Sequence, residues 1–368
     1  MKRRVLVIGG GNHHNALGVI RALGERGYDV ELITIGDLKK HYISSSRYVA
    51  SHRALKDIKE LSAYLLYRSQ AVETEKEIII SCSDSVTEHL NLYLERLRRR
   101  YYVPGTDVEG IVCNIMDKHA MMQIALKHGV DVPETWCLPS DLHKVKFPCI
   151  TKSQISSHGH KDEIKVCDNY DDLSSALLEC TGEVFAQSYI DKKEEVQFIG
   201  CSLNAGKEVI IPGMSRVLRS QPNTNTGFLE YGPVDPFYSE TVNKAKDIIR
   251  DFRYSGLFSF EILRGHDDKV WFMEVNFRND GNAWCVTKSG INLPVIWVKA
   301  CLGENYNEEI KEPKRILMMP EFQDFKQVMQ HKVSFWEWIS DVRKTDFFME
   351  YDKKDIKPFF RYIMDKLV

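Results

Sequence analysis

Glu274, Asn276 and Arg278 stand two residues apart in "WFMEVNFRNDGNAW", residues 271 to 284. Alternation of period two puts all three on one face of a strand. Upstream, "FSFEIL" and "VWFMEVNF" flank "RGHDDK", the pattern of a β-hairpin. A turn centred between Asp267 and Asp268 makes opposed residues sum to 535. Glu261 then faces Glu274, and Ser259 faces Asn276. Opposed residues have Cβ atoms about 4.5 to 5.5 Å apart. Two carboxylates so placed repel unless they share a proton or bind a cation. Two carboxylates and an amide oxygen suit Mg²⁺, completed by water and phosphate. Arg278 adds a bidentate grip for phosphate or carboxylate. Without a cation, the same face would be an exposed sheet surface bridged by Lys or Arg. A slip of one residue would separate the pair.

The rest of the chain must position this face. Its 368 residues exceed one ordinary core and predict two or three domains. In the first third "RVLVI", "DVELITI" and "EIIISCS" read as buried strands. Helical segments "ALGVIRALGERGY" and "SVTEHLNLYLERLRRR" lie between or after them. That order predicts a parallel, right-handed βαβ sheet. "GGGNHHN" (residues 9 to 15) sits at the first strand–helix junction, where such sheets bind ligands. His14 occupies the place of the third Gly of a dinucleotide fingerprint, which disfavours NAD; a tight turn with a substrate contact is the alternative. "VPGTDVEGI" breaks the pattern and marks a boundary near residue 112. Past residue 305 the chain reads as a charged, aromatic, helical tail.

Composition narrows the classes. A formal net charge of -2 gives no global field for nucleic acid. "RLRRRYY" is read as a solvated helix end. Nine cysteines without a CxxC pair suit a reducing cytoplasm and disfavour a disulfide or zinc framework. No apolar run approaches transmembrane length. "LNAGKE" lacks the spacing and the Ser/Thr of a P-loop, and no GxSxG, HExxH or HRD motif occurs.

Taken in order, these segments resemble the ATP-grasp superfamily over roughly residues 112 to 305. The carriers are "MDKHAMMQIALKHGVDVPETW", "FPCITKS", "QISSHGHKD", "FAQSYIDKKEEV" and the Glu261 to Arg278 hairpin. The ending "NFRNDGN", "SGINLP" and the tail are similar to carbamoyl-phosphate-synthase-like ATP-grasp proteins, described as carboxylate–amine ligases. The resemblance implies an α/β fold in three parts. A Rossmann-like parallel α/β (pre-ATP-grasp) domain spans 1–112. An ATP-grasp α+β pair clamping ATP spans 113–305, and a helical C-terminal extension spans 306–368. It implies that Lys118 and Lys152 bind nucleotide phosphates, with Lys152 also catalytic. Gln187, Ser188 and Ile190 would grip adenine and Glu195 the ribose. Glu261, Glu274 and Asn276 would hold Mg²⁺, or Mn²⁺, and Arg278 would bind the transferring phosphate. Gln187 stands where many members have Glu, the closing loop has one Gly, and "NDGNAW" replaces a Gly-rich turn.

The implied reaction is ATP-dependent activation of a small carboxylate as an acyl phosphate, attacked by an amine. The alternatives are a non-catalytic ATP-binding regulatory protein and an ATP-grasp kinase with a stable phosphorylated product. Arg216 and Arg219 are candidates for an anionic substrate, with surface ion pairs as the plain alternative. Asn279 and Asp280 are placed at the substrate end. His158 and His160 in the closing loop are candidate phosphate or substrate contacts. A homodimer is the family expectation.

Overall fold

The computed structural model describes residues 4–11, 13–36, 41–70, 75–153, 164–180, 183–221 and 224–367. The expected closing loop, with His158 and His160, lies outside them. The N-terminal sheet contains β1 (Arg4–Gly9), β2 (Asp29–Ile35), β3 (Val49–Leu55), β4 (Glu77–Ser81) and β5 (Tyr101–Tyr102). Its order is β3-β2-β1-β4-β5 and every pair is parallel. β1 and β4 are continuous apolar runs because helices cover both faces of a parallel sheet. The helix His14–Gly24 follows β1 directly, and Asp84–Leu92 follows β4. Both helices therefore begin at the carboxyl ends of neighbouring strands.

A small antiparallel sheet comprises β6 (Thr135–Cys137), β7 (Cys149–Ser153), β8 (Val166–Cys167) and β9 (Val184–Ser188), in the order β6-β9-β7-β8. The large sheet comprises β10 (Lys192–Leu203), β11 (Glu208–Ile210), β12 (Met214–Gln221), β13 (Thr224–Gly232), β14 (Gly256–Gly265), β15 (Val270–Asn276), β16 (Ile316–Met319) and β17 (Phe347–Phe348). Its path is β15-β14-β10-β12-β13-β16-β17, with β11 paired to β10. One face of its centre packs Phe198, Phe258, Phe260, Phe272 and Val275 under the helix Ser239–Asp251. That helix is strongly amphipathic, burying Val242, Ala245, Ile248 and Ile249 at helical spacing.

The C-terminal segment is helical, as expected, but it also contributes β16 and β17 to the large sheet. "ILMM" is too short to be told from a helix turn by periodicity. The helix Leu293–Cys301 packs into the core of the N-terminal sheet, where Trp297 Nε1 donates to Ile79 O. Among the described residues no helix is long and apolar enough to cross a membrane.

Candidate active site

The hairpin sets the site. β14 and β15 pair antiparallel, with Ser259 opposite Asn276, Phe260 opposite Val275 and Glu261 opposite Glu274. A bulge follows between Glu261 and Ile262, so the register that opposes the carboxyls holds only on the strand-end side of it. Phe260, Val275 and Phe272 fill the core on the other face, which leaves Glu261 and Glu274 side by side on the polar one.

Burial and the Glu274 charge push the Glu261 carboxyl well above its ordinary range. Burial also acts against ionised Glu274, but Lys118, Lys152 and Arg278 outweigh it and hold Glu274 below its usual value. The surroundings thus drive the two carboxyls apart in acidity. Asn276 Nδ2 donates to Glu261 Oε1 (2.7 Å), and Gln197 Nε2 on β10 donates to the same oxygen (3.2 Å).

Cations surround the pair. Lys118 opens the helix Lys118–Lys127, which Asp117 caps by accepting from Ala120 N (2.8 Å). Its Nζ lies 3.8 Å from Glu274 Oε2. Lys152, on β7, brings the small sheet's charge to the carboxyls. Burial and then the Lys118 charge lower its pKa to about 8. Its Nζ donates to Gln187 Oε1 (2.9 Å), a neutral partner, so the counter-charge it feels comes from Glu274 and Glu261. Arg278 donates through Nη2 to Asn276 Oδ1 (2.9 Å), Nη1 to Asp280 Oδ2 (2.9 Å) and Nε to Asp84 Oδ2 (3.2 Å). Burial opposes its charge, yet Asp84 and Asp280 raise its pKa above the ordinary value.

Lys152 yields a test of this electrostatic reading. Its folded pKa of about 8 lies below the unfolded 10.5, so between these values the unfolded state binds more protons. Stability from this group therefore rises as pH climbs from 8 to 10.5. Lys152→Met removes the penalty at all pH values. Its stability advantage over the parent, measured by thermal melts, is expected to be largest below pH 8 and to shrink toward 10.5. A constant difference across that window would sink the assignment.

The other expected residues are distributed as follows. Gln187 is buried in β9, where Nε2 donates to Thr135 Oγ1 (3.0 Å), so its side chain is tied up between β6 and Lys152. Ser188 ends β9, with its N–H bonded to Glu134 O (2.8 Å), and Ile190 lies in the link to β10. Glu195 projects from β10 two residues before Gln197, on the Glu261 face, and pairs with Lys192. Asn279 and Asp280 are buried. Asn279 Nδ2 donates to Asn15 Oδ1 (2.6 Å), joining the hairpin to the first helix, and Asp280 orients Arg278.

Two residues are displaced from the expected substrate role. Arg216 pairs in register with core-facing Val196, so the pleat turns it to the opposite face, beside Glu194 and Asp235. A cavity of about 240 Å³ lies there, lined by Met214, Arg216, Glu230, Asp235 and Arg315, and not at the carboxyl pair. Arg219 forks onto Asp324 (2.7 and 3.0 Å) and reaches Asp341 (2.9 Å), anchoring the tail. Gln197, Asp84 and Asn282 escaped the sequence reading. Extending the alternation of β10 into register with β14 would have found Gln197. Asp84 is joined to Arg278 only by the fold.

Among the described residues no three His, Cys, Asp or Glu cluster as a complete metal set. The donor types still fit a hard cation, two carboxyls and an amide, although in this structure the amide turns its nitrogen to Glu261 and its oxygen to Arg278.

A family model described as "ATP-grasp in the biosynthetic pathway with Ter operon" matches residues 236–325. No curated protein matches the chain in sequence. Similar solved structures include N5-carboxyaminoimidazole synthetase of Staphylococcus aureus, at TM-score 0.68 and 15% identity over 90% of this chain and 86% of that one. The carboxyaminoimidazole ribonucleotide synthase of Aspergillus clavatus, complexed with ATP, gives 0.68 and 16% over 90% and 87%. The L-amino acid ligase of Bacillus licheniformis gives 0.63 and 14% over 85% and 78%. The parallel N-terminal sheet, the small and large antiparallel sheets and these likenesses together establish that the chain has the ATP-grasp fold.

Proposed function

We propose that the protein is an ATP- and magnesium-dependent ligase. It activates a small carboxylate as an acyl phosphate and joins it to an amine, releasing ADP and phosphate. The observation that carries this reading is the opposed Glu261–Glu274 pair with Asn276, ringed by Lys118, Lys152 and Arg278. Glu261, Glu274 and Asn276 would hold magnesium, or manganese, which when bound neutralises charge on the nucleotide phosphates. Lys118 and Lys152 bind and orient those phosphates. Arg278, fixed by Asp84 and Asp280, steadies charge on the group in flight. Ser188, Ile190 and Glu195, where the small and large sheets join, hold the adenosine end. Similar structures named as a synthetase and an amino acid ligase support C–N bond formation as the chemistry.

The test is ADP release over pools of carboxylates and amines. The expected result is release that needs both. Phosphate transfer to an acceptor without an amine, giving a stable phosphorylated product, would replace this reading with a kinase.

A further inference from the structure

Glu261 has a carboxyl on one side and an amide on the other. β15 places Glu274 opposite it, and β10 places Gln197 opposite it, both in register. Gln197 is fully buried in the middle of the polar face of the large sheet. Its Nε2 donates to Glu261 Oε1 (3.2 Å), and its Oε1 accepts from Asn282 Nδ2 (2.7 Å) and Ser215 Oγ (3.4 Å). The direction of the amide follows from these neighbours. A carboxylate only accepts, so it takes the N–H side and turns the carbonyl to Asn282.

Asn282 is also fully buried, in the turn that leaves the hairpin. Its backbone N–H donates to Asp280 Oδ1 (2.8 Å). Asp280 Oδ2 accepts from Arg278 Nη1, Arg278 Nη2 donates to Asn276 Oδ1, and Asn276 Nδ2 donates back to Glu261 Oε1. The hydrogen bonds close a ring. Two arms therefore join Glu261 to Arg278. One runs through Asn276, a residue already assigned to the cation. The other runs through Gln197, Asn282 and Asp280, and the buried Gln197 and Asn282 offer no surface to a ligand.

Stability does not call for that second arm. Replacing both partners of a buried hydrogen bond by apolar groups of the same shape is nearly neutral or stabilising. A fully bonded buried network does fix geometry. What it fixes here is the distance and angle between a carboxyl on β14 and a guanidinium just beyond β15.

We propose that Gln197 and Asn282 are positioning residues that hold the Glu261 carboxyl and the Arg278 guanidinium in one fixed relation, so that the divalent cation and the transferring phosphate are gripped as a unit. The inference rests on the metal and phosphate roles proposed above and adds what aligns them.

The experiment titrates Mn²⁺ into the protein at fixed ATP and follows water proton relaxation, which reports metal held on the protein. ADP release over the carboxylate and amine pools is measured alongside. Partners that orient metal-holding side chains are worth about tenfold to a hundredfold in metal affinity or turnover. Gln197→Met and Asn282→Ala are each expected to lose about tenfold in Mn²⁺ affinity and at least as much in kcat. The KM for ATP should stay near the parent's, because Lys118, Lys152 and the adenosine end are untouched. Each variant cuts the same arm, so the double variant is expected to lose no more than either single one. Asn282→Asp keeps the size but cannot donate to Gln197; it should show the same loss, and it decides the matter if the other variants do not fold. Parent-like Mn²⁺ affinity in the variants that fold overturns the proposal, and so do losses that add in the double variant. A parent that holds Mn²⁺ with ATP but needs no amine and carboxylate for ADP release sinks the ligase reading, while the Mn²⁺ affinities still decide this one. A parent that holds no Mn²⁺ overturns both.

Discussion

Glu274→Gln is expected to abolish ATP turnover while leaving the protein folded. Glutamine keeps the shape and can still meet Asn276, but it removes the carboxyl whose charge the neighbouring cations favour. With that charge gone, Lys118, Lys152 and Arg278 face one another with less to offset them, and on the proposed reading a bound cation would lose an ionised ligand. Single preorganised electrostatic partners are worth about a hundredfold to a thousandfold in rate, and a metal ligand should stand at or beyond the upper end. The protein is expected to stay folded but to melt somewhat lower, because Lys118, Lys152 and Arg278 lose a counter-charge, while the 27% exposure of the Glu274 side chain and the 3.8 Å contact with Lys118 keep that loss small. Glu261→Gln makes a useful partner. It relieves the burial and the Glu274 repulsion that act against an ionised Glu261, so its melting temperature should match or exceed the parent while its turnover is lost. ADP release and thermal melts on both variants give the answer. Full activity in Glu274→Gln would refute the metal assignment.

The parts of this site that sequence could reveal are those governed by short-range periodicity. The Glu261–Glu274 opposition is expected from a turn centred between Asp267 and Asp268. The carboxyls do oppose each other, but next to the turn the register is one residue different, and the bulge between Glu261 and Ile262 restores the pairing. The parallel N-terminal sheet likewise follows from apolar runs alternating with amphipathic helices. What stayed hidden depends on contacts between distant segments. Arg219 looked available for an anion until the fold brought Asp324 and Asp341 to it from more than a hundred positions away. Arg216 needed the register of β12 against β10 before its face was known. Gln187 sits at a hinge position in the sequence, yet the pleat turns its side chain inward to Lys152 and Thr135. β16 was concealed in a helical tail because four apolar residues carry no period of their own. Asp84 has no distinguishing neighbours in the chain; it becomes visible only because it starts a helix at the carboxyl end of β4.

The same long-range logic makes Arg21 the side chain whose loss should most damage the C-terminal segment. It is fully buried in the first helix, and its guanidinium hydrogen bonds go to that segment. Nε donates to Asp355 Oδ2 (3.1 Å), and the two terminal nitrogens donate to the carbonyls of Met349, Glu350 and Asp355. Asp355, 2% exposed, also accepts from Ser46 Oγ (2.7 Å) and Arg47 N (2.9 Å). Arg21→Met strips the cation from a buried carboxylate and leaves three carbonyls short of a donor. Breaking such a pair costs about 3–5 kcal/mol, against the few kcal/mol that hold a subregion closed. The expected result is selective: residues beyond about 320 become open to limited proteolysis and hydrogen exchange, while the N-terminal sheet stays protected. Arg21→Met combined with Asp355→Leu should recover much of the loss, because an apolar pair of similar volume carries no stranded charge. Wild-type protection in Arg21→Met would show that the β16 and β17 pairings and the Arg219 anchor hold the segment without it.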